Sequence, residues 1–249
     1  PAANTTTTTA ETKVSETPTT TPSFVTQLTY ICICFIMVLY VKSRMQKGNV
    51  SMSENVNVCE YIESKCVHVE ADCFDLEQIM ESGQCFRIYK LSLQEQEKLC
   101  KSKGLEKCES MAWYRVMAAD KKVFVCQNGV HLIFFCSKEE YKQFWCHYFD
   151  LDFDYRSYEK AIDADDNYLK SAFAYGKGIR ILNQDPWEML ITFIISQRKN
   201  IPAIRQAVES LSTTCGTCID KENKFFAFPT PTQLAGLSLS DLQDLSLGY

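Results

Sequence analysis

The chain has 249 residues, which is enough for one large domain or two smaller ones. Its 31 acidic and 26 basic residues give a net charge of −5, so there is no overall positive field of the kind that marks many nucleic-acid-binding proteins. Most of the 13 cysteines stand alone in apolar runs, which favours reduced thiols in a cytosolic protein over a disulfide framework. Cys215 and Cys218 form the one close pair in residues 59–249, and no metal site is predicted.

The N-terminal part differs in composition from the rest of the chain. Residues 1–23 are rich in threonine and poor in apolar side chains, so they are predicted to be disordered. Residues 24–41 are almost entirely apolar, and a helix of that length spans about 27 Å, close to a hydrocarbon core of about 30 Å. Residues 24–44 are therefore either a membrane anchor or an upstream extension of the reading frame, with translation starting at Met45 or Met52. Both alternatives place the remainder in the cytoplasm.

Residues 59–150 are predicted to form an antiparallel sheet with helices at its edges. Short runs of β-branched and aromatic residues predict strands at 113–117, 123–126 and 131–136. Asn128-Gly129 between the last two favours a type I′ turn. Ser137 and Glu140 then form a capping-box pattern that opens a helix. Its aromatic stripe is interpreted as core, and comprises Tyr141, Phe144, Trp145 and Tyr148.

Residues 151–249 are predicted to be helical. Asp185 followed by Pro186 is typical of a helix start, and the apolar run 190–195 predicts a helix buried nearly all round. Asn200-Ile-Pro202 begins the next helix, and Gly216 ends it. The prolines at 229 and 231 indicate a loop, and a further short helix is expected from Leu237. The whole pattern is that of an α+β protein.

The junction Ser196-Gln-Arg-Lys-Asn200 is the candidate functional feature. An apolar helix ends there in five polar residues, and a new helix starts within three positions. Such an elbow can project cationic and amide groups towards phosphates or into the gap left by an extruded base. The spacing alone favours an ordinary polar loop between two helices. The five basic residues between Lys177 and Arg205 add a local positive patch.

Several motifs in order resemble the 8-oxoguanine branch of the helix-hairpin-helix DNA glycosylases. Ser82-Gly-Gln-Cys-Phe-Arg87 is similar to the Ser-Gly-Gln-x-Phe-Arg of that branch, and residues 185–211 are similar to its central helices. Three shorter segments also match, namely Gly178-Ile-Arg-Ile-Leu182, Phe228-Pro-Thr and Leu247-Gly-Tyr249. The resemblance covers 59–249. It implies an N-terminal domain at 59–150 and a partial helix-hairpin-helix domain at 151–249.

The resemblance implies a monomer that binds damaged double-stranded DNA without a cofactor. It also implies a role for each of several residues. The carbonyl oxygen of Gly83 would accept a hydrogen bond from the N7–H group that distinguishes 8-oxoguanine from guanine. Arg198 would fill the vacated stack and contact the orphaned cytosine, although an amide is usual there. Gln197 and Asn200 would contribute further DNA contacts, and Tyr249 would wedge beside the lesion. Ala203 stands where the family often has an arginine that contacts the cytosine, which implies relaxed opposite-base selectivity.

The family's chemistry requires a lysine that attacks the sugar C1′ and an assisting aspartate. Both belong to a segment around a Pro-Gly-x-Gly hairpin, and this sequence contains no such hairpin. We therefore assign no catalytic residue and expect the chain to lack the C-terminal part of the enzyme. Two other functions stay open, an alkylated-base glycosylase of the same superfamily and a membrane-anchored binding module without enzymatic activity.

We expect the chain as given to have no lyase activity. Borohydride reduction in the presence of a duplex containing 8-oxoguanine would convert a Schiff base into a stable covalent adduct, which electrophoresis detects. No adduct is expected, and a trapped one would show that a lysine in this sequence is the nucleophile.

Overall fold

The computed structural model describes residues 66–103 and 111–245. The predicted disordered segment 1–23, the apolar segment 24–44 and the wedge residue Tyr249 lie outside these ranges. Across 66–103 and 111–245, no helix combines the length and the hydropathy needed to cross a membrane.

A five-stranded antiparallel sheet in the order β1-β5-β4-β3-β2 forms the first half. It confirms the three predicted strands and adds two short ones at the sheet edges. The strands are β1 (Val67–Glu70), β2 (Ile88–Lys90), β3 (Ala112–Ala118), β4 (Lys121–Asn128) and β5 (His131–Phe134). Runs of three or four residues such as β1 and β2 carry too little periodicity to be recognised in the sequence.

The turn between β4 and β5 is not the predicted type. Asn128 pairs with His131, so the two turn residues are Gly129 and Val130. Gly129 has a φ of 57°, whereas Val130 is not among the residues with positive φ. A type I′ turn needs positive φ at both positions, which a β-branched side chain resists. Glycine at the first position alone fits a type II′ turn.

Helices cover both faces of the sheet, which corrects the prediction that they lie at its edges. On one face, Leu76 and Ile79 of α1 (Leu76–Glu81) join the buried strand residues in a single core. On the other face, Cys100 of α2 (Leu93–Lys103) packs with Trp113. Burial on two faces explains why these strands are apolar at consecutive positions and do not alternate.

The aromatic stripe after β5 belongs to the core, as predicted, but its helix is irregular. It runs through α3 (Lys138–Glu140), a π-helix (Tyr141–Trp145) and α4 (Cys146–Tyr148). Ser137 caps α3 by accepting a hydrogen bond from Glu140 N. The Glu140 carboxylate accepts from Trp145 Nε1 at 2.9 Å, so only half of the predicted capping box is observed. The wide π turn allows Tyr141 and Trp145 to be buried together.

The second half is mainly helical, as predicted. It contains α5 (Arg156–Ala161), α6 (Asn167–Tyr175), α7 (Pro186–Ser196), α8 (Ile201–Cys215), α9 (Pro231–Ala235) and α10 (Leu239–Asp244). Asp185 caps α7 by accepting from Glu188 N at 2.8 Å. One face of α8 is buried, and it comprises Ile204, Ala207, Val208 and Leu211.

Helix α7 is not buried all round. Leu190 and Ile194 are 53% and 52% exposed, because α7 packs through its other side against α8. The apolar run in the sequence therefore predicted more burial than α7 has in the structure.

The segment after α8 also differs from the expected loop. A hairpin of β6 (Cys218–Asp220) and β7 (Phe225–Phe226) follows Gly216. Thr230 and Gln233 form a capping box that starts α9 at Pro231, and Ser238 caps α10, so the final helix begins at Leu239 and not at Leu237. Together, the sheet and the helices confirm the predicted α+β class.

The contact between Gly178 and the start of α1 gives a stability prediction. Gly178 O accepts a hydrogen bond from Asp75 N at 2.9 Å, and a Cβ on Gly178 would lie 2.3 Å from Asp75 Cβ. We expect Gly178→Ala to lower the free energy of unfolding by about 1–3 kcal/mol, since backbone must move to relieve the overlap. Urea denaturation measures the change.

Gly176→Ala is the matched control. The nearest atoms to a Cβ there are 3.6 Å and 3.7 Å away, which is ordinary contact. A change within about 0.5 kcal/mol is expected for this variant. Equal effects of the two substitutions would contradict the close packing of Gly178 against α1.

Candidate functional site

Gly83 lies in the turn between α1 and β2, in a conformation that favours glycine. Its φ is 77°, and a Cβ added to it would have nothing within 4 Å. The glycine is therefore required by the backbone angle and not by crowding. The space beside it leaves the main chain of this turn accessible to a ligand.

Gln84 fixes the Gly83 turn to the segment that leads into α7. Its Nε2 donates to Arg180 O at 2.8 Å, and its Oε1 accepts from Leu182 N at 2.9 Å. Its backbone oxygen accepts from Gln184 Nε2 at 2.6 Å. The two side-chain bonds use both ends of the Gln84 amide, one as donor and one as acceptor.

Cys85 is buried beneath the turn and is not a candidate nucleophile. Burial raises the pKa of its thiol to about 12, so the thiol stays protonated at neutral pH. The next residue, Phe86, packs against the core formed by α7 and α8. The side chains that follow Gly83 thus anchor its turn in the helical half.

Arg87 connects the sheet to the helices through a buried guanidinium. The residue is only 2% exposed. Its Nε lies 3.2 Å from Glu209 Oε1 on α8, and its Nη2 donates to Phe226 O at 2.5 Å. Its Nη1 lies 3.9 Å from Glu188 Oε1 on α7 and has no hydrogen-bond partner. One side chain therefore joins the start of β2 to α7, α8 and β7.

Glu188 extends this network to the hairpin between β3 and β4. Its Oε2 accepts from Ala119 N at 2.9 Å. Burial raises the pKa of the Glu188 carboxyl, and the neighbouring Arg87 opposes that effect. Neither Glu188 nor Glu209 is predicted from the sequence to take part in this network. An arginine between two apolar residues was the available signal for a buried ion pair.

The predicted elbow is present between α7 and α8. Arg198 is exposed and has a φ of 59°, whereas Gln197 and Lys199 are half-buried. Asn200 caps α8, because its Oδ1 accepts from Ala203 N at 3.0 Å. The side-chain oxygen of Asn200 therefore has a structural role, and the residue as a whole is exposed.

Arg205 brings the elbow close to the Gly83 turn. Its Nη2 donates to Met80 O at 3.2 Å, near the end of α1 and three residues before Gly83. Arg205 lies five residues after Asn200, which corresponds to about 7.5 Å along a helix axis. The structure thus places the start of α8 next to the turn that carries Gly83. Tyr249, the remaining predicted site residue, is not described.

Most of the predicted basic patch is structural. Arg180 is 4% exposed and donates four hydrogen bonds to the backbone oxygens of Asp72, Cys73, Asp150 and Phe153. Lys177 Nζ lies 3.5 Å from Glu159 Oε2. The remaining two of the four basic residues other than Arg205, namely Arg198 and Lys199, lie at the elbow.

A groove of about 880 Å³ lies elsewhere, between the start of α1 and α5. Its lining does not include Gly83 or the elbow, and it contains two ion pairs, Arg156–Asp72 at 3.1 Å and Lys177–Glu159 at 3.5 Å. We therefore do not assign the function to it. In the described ranges, no group of three or more histidine, cysteine or acidic side chains is arranged to hold a metal ion.

Comparison with known proteins identifies the family. Residues 66–190 match the 8-oxoguanine DNA glycosylase N-terminal domain. The chain belongs to the 8-oxoguanine DNA glycosylase family. An N-glycosylase/DNA lyase from Saccharomyces cerevisiae is 36% identical over 92 residues, which is 34% of this chain and 24% of the yeast protein.

Solved structures with the same fold agree with this assignment. The protein MBOgg1 in complex with a low-affinity DNA ligand is 32% identical, with a TM-score of 0.64 over 78% of this chain and 61% of that one. The apo 8-oxoguanine glycosylase/lyase of Clostridium acetobutylicum is 30% identical, with a TM-score of 0.65 over 78% and 62%. The chain thus spans less than two thirds of the length of these relatives.

The buried network gives a prediction about Arg87. Arg87→Met would leave Glu188 and Glu209 without their cation, and we expect the free energy of unfolding to fall by about 3–5 kcal/mol. Chemical denaturation followed by tryptophan fluorescence measures the loss.

Lys90→Met is the control, since Lys90 lies three residues further along and pairs with Glu77 at 2.6 Å on the surface. A loss within about 1 kcal/mol is expected for an exposed pair. If both variants unfold at the same denaturant concentration, Arg87 does not hold the two halves together.

Proposed function

We propose that this chain carries the lesion-recognition part of an 8-oxoguanine DNA glycosylase/AP lyase. It binds damaged double-stranded DNA as a monomer in the cytoplasm, and the whole enzyme removes the oxidised base and cleaves the abasic strand by β-elimination. The observation that carries this proposal is the half-buried Gly83 turn, with open space at its Cα, beside the α7–α8 elbow in a chain of this family. No residue of the chain is assigned to the chemical step.

The names of the solved relatives support this substrate. One of them is the Clostridium acetobutylicum 8-oxoguanine glycosylase/lyase bound to double-stranded DNA with cytosine opposite 8-oxoguanine. It is 31% identical to this chain, with a TM-score of 0.63 over 76% of this chain and 61% of that one. We transfer its substrate class to this chain because the two share the fold and 31% of their residues in the matched part.

In our proposal, recognition depends on one backbone acceptor. A lesion flipped out of the duplex presents N7–H, a donor, where guanine presents a bare N7 acceptor. The Gly83 carbonyl would accept from N7–H and would repel the lone pair of guanine N7. The bonds made by Gln84 hold this carbonyl in place, so no reorganisation is needed when the base enters.

The elbow would hold the duplex open. Gln197, Arg198 and Asn200 project from the junction of two rigid helices and would contact the strand that loses its partner base. Lys199 adds positive charge for the phosphates. Tyr249 is proposed to wedge beside the lesion.

Replacing Gly83 tests this proposal. We expect Gly83→Ala to reduce the preference for an 8-oxoguanine duplex over a guanine duplex by about 5–10-fold, the equivalent of one hydrogen bond. The positive φ is unfavourable for alanine, so the carbonyl turns away from its position. Fluorescence anisotropy with two labelled duplexes gives the ratio of dissociation constants.

Gly129→Ala is the matched control, since Gly129 also has a positive φ and open space where the Cβ would lie. It should be destabilised to a similar degree but keep the wild-type preference. The proposal fails if the wild-type chain does not distinguish the two duplexes, or if Gly83→Ala keeps the full preference.

A further inference from the structure

Arg115 is a half-buried arginine on β3, an interior strand of the five-stranded sheet. Its cross-strand neighbours are Tyr89 on β2 and Phe124 on β4. The central carbon of its guanidinium lies 4.6 Å from the ring centroid of Tyr89 and 4.6 Å from that of Phe225 on β7. Aromatic rings attract a cation placed over their faces, so these two contacts hold the guanidinium where the sheet meets the β6–β7 hairpin.

The donors of this guanidinium have no protein acceptor in the part of the chain that the structure describes. Nε of Arg115 is buried and has no hydrogen-bond partner. Nη1 and Nη2 keep access to the surface, and no carboxylate of residues 66–103 or 111–245 forms an ion pair with them. An arginine side chain stays charged and carries five N–H donors, so the surface-facing donors are available to a ligand.

Two neighbouring glutamates are engaged by other donors. Glu209 on α8 accepts hydrogen bonds from Tyr89 Oη at 2.7 Å and from Arg87 Nε at 3.2 Å. Glu95 on α2 accepts from the main-chain nitrogen and the hydroxyl of Ser92 at 2.8 Å and 2.7 Å. These hydrogen bonds lower the pKa of Glu95, and the charge of the β3 guanidinium lowers it further, so the two groups lie within electrostatic range.

A second cation contacts the same aromatic ring but is already neutralised. Lys122 Nζ lies 4.6 Å from the ring centroid of Phe225 and pairs with Asp220 at 2.5 Å. Arg115 is therefore the cation of this cluster that has no carboxylate of its own. A ligand with one negative charge would neutralise it. A ligand with two negative charges would bring the second one close to Asp220 and the two glutamates, which would repel it.

We propose that Arg115 binds one carboxylate of a partner protein, supplied by an acidic side chain or by a free C-terminus. The two oxygens of a carboxylate match two parallel donors of a guanidinium. The half-buried rings of Tyr89, Phe124 and Phe225 offer apolar contact to the residues beside that carboxylate. Arginine and aromatic residues are the side chains enriched in protein–protein interfaces. Arg115 lies two residues after Trp113 and so on the α2 side of the sheet.

The test is a titration of the full 249-residue chain, followed by ¹H–¹⁵N NMR of the arginine Nε–H groups. The probes are sodium acetate, inorganic phosphate, a blocked glycine-glutamate-glycine peptide and a triglycine with a free C-terminus. The titrations are made at constant ionic strength and about pH 8, where phosphate is largely a dianion. Acetate should shift the Arg115 signal to saturation with a dissociation constant of about 1–10 mM. Phosphate should bind at least about 5-fold more weakly.

The two peptides identify the source of the carboxylate. A shift of the Arg115 signal by the glutamate peptide supports an acidic side chain, and a shift by triglycine supports a C-terminus. Either result supports the proposal. The inference is overturned if acetate and both peptides leave the signal unchanged up to about 50 mM. Tighter binding of phosphate than of acetate also overturns it, because the site would then fit a phosphate group of a nucleic acid or a phosphorylated partner.

Variants separate binding from a purely structural role. Arg115→Lys keeps the charge but loses the parallel donors, so acetate affinity, measured from the main-chain signals of β2 and β3, should fall at least about 5-fold. Arg115→Met should abolish binding, and Arg115→Lys decides the matter if that variant does not fold. Arg156→Met is the matched control, because Arg156 already donates to Asp154 and Asp72, and it should leave the affinity unchanged. Equal losses in Arg115→Lys and Arg156→Met, or full affinity in Arg115→Lys, would contradict the assignment.

Discussion

The buried guanidinium of Arg87 is the constraint on which the rest of the structure depends. It ties the start of β2 to α7, α8 and β7, and through Glu188 the same network reaches the hairpin between β3 and β4. A charge removed from water to this degree is stable only when its partners are held in place. The network therefore sets the position of the helices relative to the sheet, and Gly83 lies four residues before Arg87, within the segment that it anchors.

The candidate site combines two segments of the chain, and each contains a residue with a positive φ. Gly83 and Arg198 both have positive φ, and each is followed within two residues by one with a defined structural bond, Gln84 in one case and Asn200 in the other. At Gly83 and at the elbow alike, the residue that makes the structural hydrogen bond is close in sequence to a residue that is proposed to contact DNA. Such an arrangement keeps the contacting atoms in position before DNA binds, which lowers the cost of ordering them on binding.

Many of the helix ends and core residues could be predicted from the sequence, because hydrophobic periodicity and capping residues act locally. Asp185, Asn200 and Gly216 mark helix ends in the structure as they do in the sequence, and the aromatic stripe is core. Interactions between residues far apart in the sequence could not be predicted. The ion pairs of Arg87 with Glu188 and Glu209 join residues about 100 positions apart, and the exposure of Leu190 and Ile194 depends on which helices pack against α7. The π-helix and the positive φ of Arg198 likewise had no recognisable signal in the sequence.

The central claim is that the Gly83 turn and the elbow form one surface that recognises the lesion. Hydrogen exchange followed by mass spectrometry measures this most directly, on the chain with and without an 8-oxoguanine duplex. We expect slower exchange in peptides that cover residues 80–87 and 196–203, and unchanged exchange around residues 156–160 in the groove. Protection of the groove alone, or of only one of the two site segments, would contradict the account.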